Sequence, residues 1–142
     1  MKGPDTAVEA VMQREFASVR SDERLDFVDD VMALGRVRHM PVVDGGQLVG
    51  VVTQRDLLAA SLSRALDFDA QERRTFLRSV NVGEVMSKKP ITVRPDATLR
   101  EAAQLLLRHK IGCLPVVGPR GEALGLLTET DLLRAAYAEK GA

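Results

Sequence analysis

Residues 50–56 read Gly-Val-Val-Thr-Gln-Arg-Asp, and residues 125–131 read Gly-Leu-Leu-Thr-Glu-Thr-Asp. Both follow one pattern: glycine, two apolar residues, threonine, two variable residues and aspartate. A threonine followed three residues later by an acid is typical of a capping box, in which the two side chains satisfy backbone N–H groups at a helix start. Each stretch therefore predicts the end of a strand that is followed at once by a helix.

The two stretches belong to an internal repeat that runs through almost the whole chain. Residues 8–43 align with residues 82–117 at a constant offset of 74, and ten positions keep the same residue type. After one inserted residue in a Gly-containing turn the offset becomes 75, and seven further positions agree. Loops absorb a length change at low cost, so a single insertion in a turn is what a duplicated fold tolerates.

Each copy predicts the element order β-α-β-β-α after a short apolar lead-in. The two apolar runs that precede each closing helix are short, rich in β-branched residues and poor in charge, as in strands buried on both faces. The expected short strands are residues 17–19 and 91–93, the first helices are residues 22–34 and 99–108, and the closing helices begin near Gln54 and Glu129. A lone copy leaves one sheet face uncovered, so we expect the two copies to pack as one unit.

The helix starts differ between the copies. Thr98 and Glu101 predict a second capping box, whereas the first copy has Arg24 at the position of Thr98, so its helix is expected to begin from Ser21. Residues 67–79 are charged and lack Gly and Pro, which favours an extended or separate short helix. We therefore divide the chain into a first repeat, a helical connector and a second repeat, at residues 7–66, 67–80 and 81–138.

Composition excludes several classes of function. The chain has 142 residues, 20 basic and 20 acidic side chains, 4% aromatic residues and one cysteine. A zero net charge with few aromatic residues argues against nucleic-acid binding, and one cysteine forms neither an intramolecular disulfide nor a Cys-rich metal site. No apolar run is long enough to span a membrane. The polar start of the chain is unlike a secretion signal, so the expected location is the cytoplasm.

The repeated motif offers more than helix caps. A helix N-terminus presents unpaired N–H groups and the positive end of the dipole, which together favour phosphate. The threonine hydroxyl adds a donor, and an aspartate carboxylate can accept from both hydroxyls of a ribose. Threonine and aspartate one helical turn apart therefore match the spacing of phosphate and sugar in a nucleotide.

With its repeated order, its apolar-Pro-Val-Val strand and its Gly-x-x-Thr-x-x-Asp motif, the chain resembles the CBS (cystathionine-β-synthase domain) family over about residues 7–138. The resemblance implies an α/β fold of tandem β-α-β-β-α repeats, packed as a pseudo-twofold pair through their small sheets. It also implies clefts for reversible adenosine ligands such as AMP, ADP, ATP or S-adenosylmethionine. No prosthetic group is expected.

The resemblance assigns ligand contacts position by position. Thr53 and Thr128 would hold phosphate, and Asp56 and Asp131 would hold ribose. The segments before each proline would hold adenine, and the short first strands would form the other wall. The implied remaining contacts are Ala17, Ser18, Arg38, His39, Met40 and Pro41 in the first copy and Ile91, Thr92, Gly112, Cys113, Leu114 and Pro115 in the second.

Other polar residues have two interpretations each. Arg36, Arg38, Arg55, Lys88 and Lys89 are candidates for neutralising phosphate, and the alternative is ordinary solvated charge. His39 is a candidate for a phosphate or base contact or an ordinary partly buried histidine. Cys113 lies in an apolar strand and is expected to be a small buried hydrophobe, and no ligand role is expected for His109.

The leading hypothesis is a regulatory module that senses an adenosine nucleotide and acts on a separate, unidentified partner protein. The resemblance further implies a homodimer that meets through its helices, with Leu57, Leu58, Leu132 and Leu133 as candidate contacts that could equally be core. The main alternative is a structural or dimerisation pair that binds no nucleotide. No legible set of catalytic side chains is present, so an enzyme is not expected.

Overall fold

The computed structural model describes residues 2–62 and 69–138. Its described residues form five α-helices and two small antiparallel sheets, which confirms the predicted α/β class. In chain order the elements are α1 (Leu25–Gly35), β1 (His39–Asp44), β2 (Gln47–Thr53), α2 (Gln54–Leu62), α3 (Ala70–Arg78), β3 (Ser87–Lys88), α4 (Leu99–His109), β4 (Cys113–Val117), β5 (Ala123–Thr128) and α5 (Glu129–Tyr137). Short 3₁₀ turns occupy Val8–Ala10 and Val82–Glu84.

The elements group into two compact units. Ala17–Lys89 forms the first-repeat unit, and Met1–Phe16 together with Pro90–Ala142 forms the second-repeat unit. The lead-in of each repeat, residues 7–16 in the first and 81–89 in the second, therefore belongs to the unit built by the other repeat. The sequence repeats and the compact units have different boundaries for this reason.

In the first-repeat unit the sheet has the order β1-β2-β3. The strand β3 comes from the lead-in of the second repeat, and it pairs antiparallel with β2 through Val51 opposite Ser87. The expected strand at residues 17–19 is reduced to one parallel bridge, between Val19 and Val42. Its backbone bonds run from Val19 N–H to the Pro41 carbonyl at 3.1 Å and from Val43 N–H to the Val19 carbonyl at 2.8 Å.

The second-repeat unit has the same plan with less regular edges. Strands β4 and β5 pair antiparallel, and Val93 bridges Val116 in parallel, as Val19 bridges Val42. An antiparallel bridge between Gln13 and Leu126 takes the place that β3 holds in the other unit. Reciprocal N–H···O=C bonds of 2.9 and 3.0 Å join these two residues.

Each unit encloses its own apolar core, and each lead-in supplies part of it. Val82 is fully buried in the first-repeat core, and Val8 is fully buried in the second. Full burial of a valine or leucine side chain is worth about 1.5–3 kcal/mol. The first core contains Val19, Leu25, Val28, Met32, Met40, Val42, Val52, Leu57, Leu77 and Val82. The second contains Val8, Met12, Val93, Leu99, Ala102, Leu106, Leu114, Val116, Leu127 and Ala135.

The start of α4 agrees with the prediction, and the start of α1 does not. The Thr98 hydroxyl accepts from Glu101 N–H at 3.1 Å, and the Glu101 carboxylate accepts from Thr98 N–H at 3.3 Å. Helix α1 begins at Leu25, with no side-chain cap at Arg24, so the expected start at Ser21 is wrong. The Val80 carbonyl accepts the Leu25 N–H at 3.0 Å, which satisfies the helix start without a cap.

Ser21 does not begin α1 and is hydrogen-bonded to Asp44 instead. Its hydroxyl donates to the Asp44 carboxylate at 2.6 Å, and its backbone N–H donates to the same group at 3.0 Å. Both hydrogen bonds lower the pKa of the Asp44 carboxyl below its ordinary value, and the bond from the Ser21 hydroxyl has the larger effect. Ser21 thus links the start of the repeat to the end of β1.

The charged connector forms a separate helix, α3, which is one of the two predicted alternatives. Residues 67 and 68 of the predicted connector lie outside the described residues. Leu77 of α3 is fully buried in the first core. Arg73 donates to both carboxylate oxygens of Asp29 at 3.0 and 3.2 Å, and Arg74 does the same to Asp30 at 2.9 Å. The connector is therefore an integral part of the first-repeat unit.

A pair of fragments tests the exchange of lead-ins. We expect residues 17–89 to melt more cooperatively than residues 1–66, because only the fragment 17–89 contains Leu77 and Val82 of the first core. Circular dichroism melts of both fragments measure this difference. Equal, cooperative melting of the two fragments would show that the exchanged lead-in is dispensable.

Candidate functional site

In the first-repeat unit the motif residues lie at the junction of β2 and α2. The Asp56 N–H donates to the Thr53 hydroxyl oxygen at 3.1 Å, and the Thr53 N–H donates to the Asp56 carboxylate at 2.9 Å. This reciprocal pair is the predicted capping box. Both residues are half-buried.

In the second-repeat unit the same junction is more tightly bonded. Asp131 is only 5% exposed, and its carboxylate accepts from the Thr128 N–H at 2.8 Å and lies 3.0 Å from the Thr128 hydroxyl oxygen. The amide nitrogen of Gln13 lies 3.1 and 3.0 Å from the two carboxylate oxygens. Arg134 adds an ion pair at 3.8 Å.

The segment before each proline lies next to the motif within its own unit. His39 pairs with Thr53 across the β1–β2 ladder, and the Arg38 carbonyl accepts the Gln54 N–H at 3.0 Å. Cys113 pairs with Thr128 in the same way, and the Gly112 carbonyl accepts the Glu129 N–H at 3.1 Å.

The predicted first-strand wall also lies beside these segments. The parallel bridges at Val19 and Val93 place residues 17–18 and 91–92 alongside residues 40–41 and 114–115. Threonine, aspartate, the pre-proline backbone and the short first segment are thus brought together in each unit.

Side-chain orientation divides the implied contacts into two groups. Met40 is 1% exposed and Leu114 is fully buried, so both side chains belong to the cores and only their backbones remain available to a ligand. Pro41, Cys113 and Pro115 are also buried. Surface accessibility is retained by Ala17, Ser18, Arg38, His39 and Arg55 in the first-repeat unit and by Ile91, Thr92 and Gly112 in the second.

Cys113 behaves as the sequence predicts. It is buried in β4, and burial raises the pKa of its thiol to about 12, so the thiol is protonated and poorly nucleophilic near neutral pH. Within residues 2–62 and 69–138, no cluster of three His, Cys, Asp or Glu side chains is placed to hold a metal ion. The same residues include no helix long and apolar enough to cross a membrane.

The basic candidates are dispersed. Arg36 adopts a left-handed conformation with φ of 53° at the end of α1, where its N–H caps the Met32 carbonyl. Lys88 lies in β3 of the first-repeat unit, although its position in the sequence is just before the second repeat's first strand. Arg38 and Arg55 are exposed and adjoin the first motif.

The motif glycines are required by a close crossing of the lead-in. A Cβ atom on Gly125 would lie 2.6 Å from the Met12 sulfur and 2.9 Å from the Gln13 carbonyl oxygen. The corresponding distances at Gly50 are 2.6 Å to the Met86 sulfur and 2.8 Å to the Ser87 carbonyl oxygen. Glycine therefore serves the packing of the lead-in and needs no ligand to explain it.

Comparison with known proteins agrees with the fold and the motifs. Residues 8–63 and 82–138 match the CBS domain, and the chain belongs to the CBS domain family. It is 32% identical to a CBS domain-containing protein of Dictyostelium discoideum, over 89% of this chain and 88% of that one. The crystal structure of CBSX2 in complex with AMP is 32% identical and matches with a TM-score of 0.78, over 92% of this chain and 95% of that one.

Enzymes that contain related segments are also found. Inosine-5'-monophosphate dehydrogenase of Mycobacterium tuberculosis is 37% identical over 128 residues, which are 89% of this chain and 21% of the enzyme. The chain therefore spans about a fifth of the length of that relative, and the activity of the whole enzyme does not transfer with the match.

Sequence reasoning missed Gln13. The lead-in has the pattern of an apolar turn, and no local pattern connects a glutamine to an aspartate 118 residues later. The available signal was a difference between the copies, because Ser87 stands where an exact repeat would place a second glutamine.

Substitution of the crossing glycine tests the packing argument. Gly125→Ala is expected to destabilise the chain by about 1–3 kcal/mol, because the new methyl group overlaps a backbone carbonyl that cannot move without breaking the bridge to Leu126. Urea denaturation measures the change. Gly3→Ala is the control, since a Cβ there meets nothing within 4 Å; equal stability of the two variants would contradict the crossing.

Proposed function

We propose that the chain is a regulatory module that reversibly binds an adenosine-containing ligand, with AMP, ADP, ATP and S-adenosylmethionine as candidates. The main support is the geometry of the motif. In each unit a threonine and an aspartate begin a helix beside an extended pre-proline backbone, within hydrogen-bonding distance of each other. The AMP complex of CBSX2, at 32% identity, supports the class of ligand.

Each part of the junction has a role in this proposal. The Arg55 and Thr130 N–H groups in the first turns of α2 and α5, together with the threonine hydroxyls, receive phosphate. The carboxylates of Asp56 and Asp131 accept from the ribose hydroxyls. The pre-proline backbone, residues 38–40 and 112–114, faces the adenine edge with groups other than the Arg38 and Gly112 carbonyls, which already accept from the Gln54 and Glu129 N–H groups. No bond is made or broken in the ligand, so the module is proposed to act by binding and not by catalysis.

The proposed output is a change in a separate protein. A binding module shifts a partner only by the difference between its affinities for the two states, and coupling of about 1–3 kcal/mol is typical. A related segment forms about a fifth of inosine-5'-monophosphate dehydrogenase, and another spans 88% of a CBS domain-containing protein of Dictyostelium discoideum. The partner and the cytoplasmic location remain predictions.

Carboxylate substitutions test the ribose assignment. Asp56→Asn and Asp131→Asn are expected to weaken nucleotide binding at their own sites by about 1–3 kcal/mol, because an amide replaces a charged acceptor with a neutral one. Isothermal titration calorimetry with AMP, ADP, ATP and S-adenosylmethionine measures the affinities. Absence of binding heat with all four ligands in the unmodified chain would favour a purely structural CBS pair.

The matched control for these variants is Glu84→Gln. Glu84 and Asn81 form a capping box with the same kind of reciprocal bonds, at the 3₁₀ turn Val82–Glu84, where no ligand is proposed. Its substitution should cost a similar stability of about 1 kcal/mol and leave affinity unchanged. Equal loss of affinity in all three variants would mean that binding follows helix capping and not ribose recognition.

We further propose that two copies associate through their helices. Of the leucines expected at such a surface, Leu57 is 2% exposed and lies in the core, whereas Leu58 and Leu133 are 55% and 61% exposed. Leu132 is partly buried against the second core. Other large exposed apolar side chains on the helices are Phe27, Leu34, Leu107 and Tyr137.

Charge substitutions test this association. The double variant Leu58→Glu and Leu133→Glu should convert a dimer to a monomer, because four carboxylates would be brought into an apolar contact. Sedimentation velocity gives the mass, and Arg120→Glu, in an exposed turn, is the control. A dimer that persists in the double variant would place the contact elsewhere.

A further inference from the structure

The two motif aspartates have different surroundings. The Asp131 carboxylate is 5% exposed and is bonded by Thr128 and Gln13. Among the described residues, the Asp56 carboxylate accepts from the Thr53 N–H alone. Asp56 is also half-buried where Asp131 is buried.

We propose that Gln13 determines site specificity: it holds the Asp131 carboxylate, so the Asp56 site is the primary nucleotide site and the Asp131 site binds only when Gln13 is displaced. This inference rests on the proposed function, since it assumes that both aspartates recognise ribose. It adds a residue to the site and an order of occupation.

The backbone around Gln13 explains why its side chain reaches Asp131. Reciprocal hydrogen bonds of 2.9 and 3.0 Å fix its backbone against Leu126 of β5. Leu126 is two residues before Thr128, so the lead-in runs past the start of α5. The amide nitrogen then lies within 3.1 Å of both carboxylate oxygens. A carboxylate only accepts, so the NH₂ group and not the amide oxygen faces it.

Competition for the carboxylate follows from this geometry. A ribose offers two hydroxyl donors, and both would have to replace donors that Asp131 already has. Gln13 itself is exposed, so its side chain can rotate away without opening the core. Binding at this site is therefore an exchange of protein hydrogen bonds for ligand hydrogen bonds, whereas binding at Asp56 displaces solvent from a half-buried group.

The equivalent position in the first-repeat unit is Ser87. It pairs with Val51 of β2 as Gln13 pairs with Leu126 of β5, so the two backbones match. A serine side chain is two atoms shorter in reach than glutamine, and no hydrogen bond joins Ser87 to Asp56 among the described residues. The two units thus differ at this position in side chain but not in strand register.

Charge separates the sites in the same direction. Arg38 and Arg55 are exposed next to the first motif, where the second copy has Gly112 and Thr130. The second motif has one cation of its own, Arg134 in place of Ala59, and it is paired with Asp131 at 3.8 Å. Cationic side chains within about 10 Å strengthen the binding of a multiply charged phosphate. The first site is therefore the better match for a nucleotide with several phosphates.

Exchange of the two residues tests the inference in the full-length chain. Asp56→Asn weakens the first site, and Gln13→Ser in that background should tighten AMP binding at the Asp131 site about tenfold. Asp131→Asn weakens the second site, and Ser87→Gln in that background should weaken AMP binding at the Asp56 site about tenfold. Calorimetry with AMP and with ATP gives the affinities and stoichiometries.

Further variants separate occupation of the site from damage to the fold. Gln13→Met keeps the side-chain length without the amide and should reproduce the gain of Gln13→Ser, with circular dichroism melts confirming that both variants fold. Gln13→Ser in the Asp131→Asn background should leave affinity unchanged.

The outcomes are distinct. Unchanged or weaker binding in the Asp56→Asn, Gln13→Ser chain overturns the inference, as do two equal sites in the unmodified chain, and both results leave the proposed function standing. Failure of AMP and ATP to bind any of these chains removes the proposed function itself.

Discussion

In each unit a lead-in segment pairs with the second strand of the hairpin and approaches a glycine of that strand closely. The pairing and the part of the core that the lead-in supplies depend on this close approach, which is called the crossing below. At Gly125 there is room for a hydrogen atom but not for a methyl group beneath the Gln13 carbonyl. The close approach allows the reciprocal backbone bonds between Gln13 and Leu126. It also positions Met12 and Val8 in the second core. A larger residue would separate the strand from the segment that closes one side of it.

The crossing explains which parts of the fold the sequence could predict. Local patterns specified the strand–helix junctions at Thr53 and Thr128 and the cap at Thr98, because these depend on residues within one helical turn. The lead-in was recognised as a repeated apolar turn, but a repeat pattern does not say which copy a segment packs against. The start of α1 was mispredicted for a related reason: its first N–H is satisfied by Val80, 55 residues away in the chain.

The candidate site illustrates a second limit of local patterns. Thr98 and Glu101 have the same reciprocal bonds as the two motif pairs, yet they lie at a helix start with no pre-proline strand paired beside it. A capping box therefore identifies a helix start and nothing more. Thr98 has a single bridge to Ala7, whereas the junctions at Asp56 and Asp131 adjoin a full ladder strand, with His39 and Cys113 opposite the two threonines. The family resemblance implies that these segments are adjacent, and the strand register pairs His39 with Thr53 and Cys113 with Thr128.

Duplication supplies two copies of one backbone, and the difference between them is then carried by a few side chains. The bridges at Ser87 and Gln13 have the same register, and so do the ladders at Thr53 and Thr128. Because the backbones match, a polar side chain long enough to reach the motif carboxylate is sufficient to change what that carboxylate can accept. A buried carboxylate needs donors whether or not a ligand is present. Gln13 meets this need in the second-repeat unit, whereas in the first the half-buried Asp56 can rely on solvent, and this difference makes two nearly identical junctions chemically unequal.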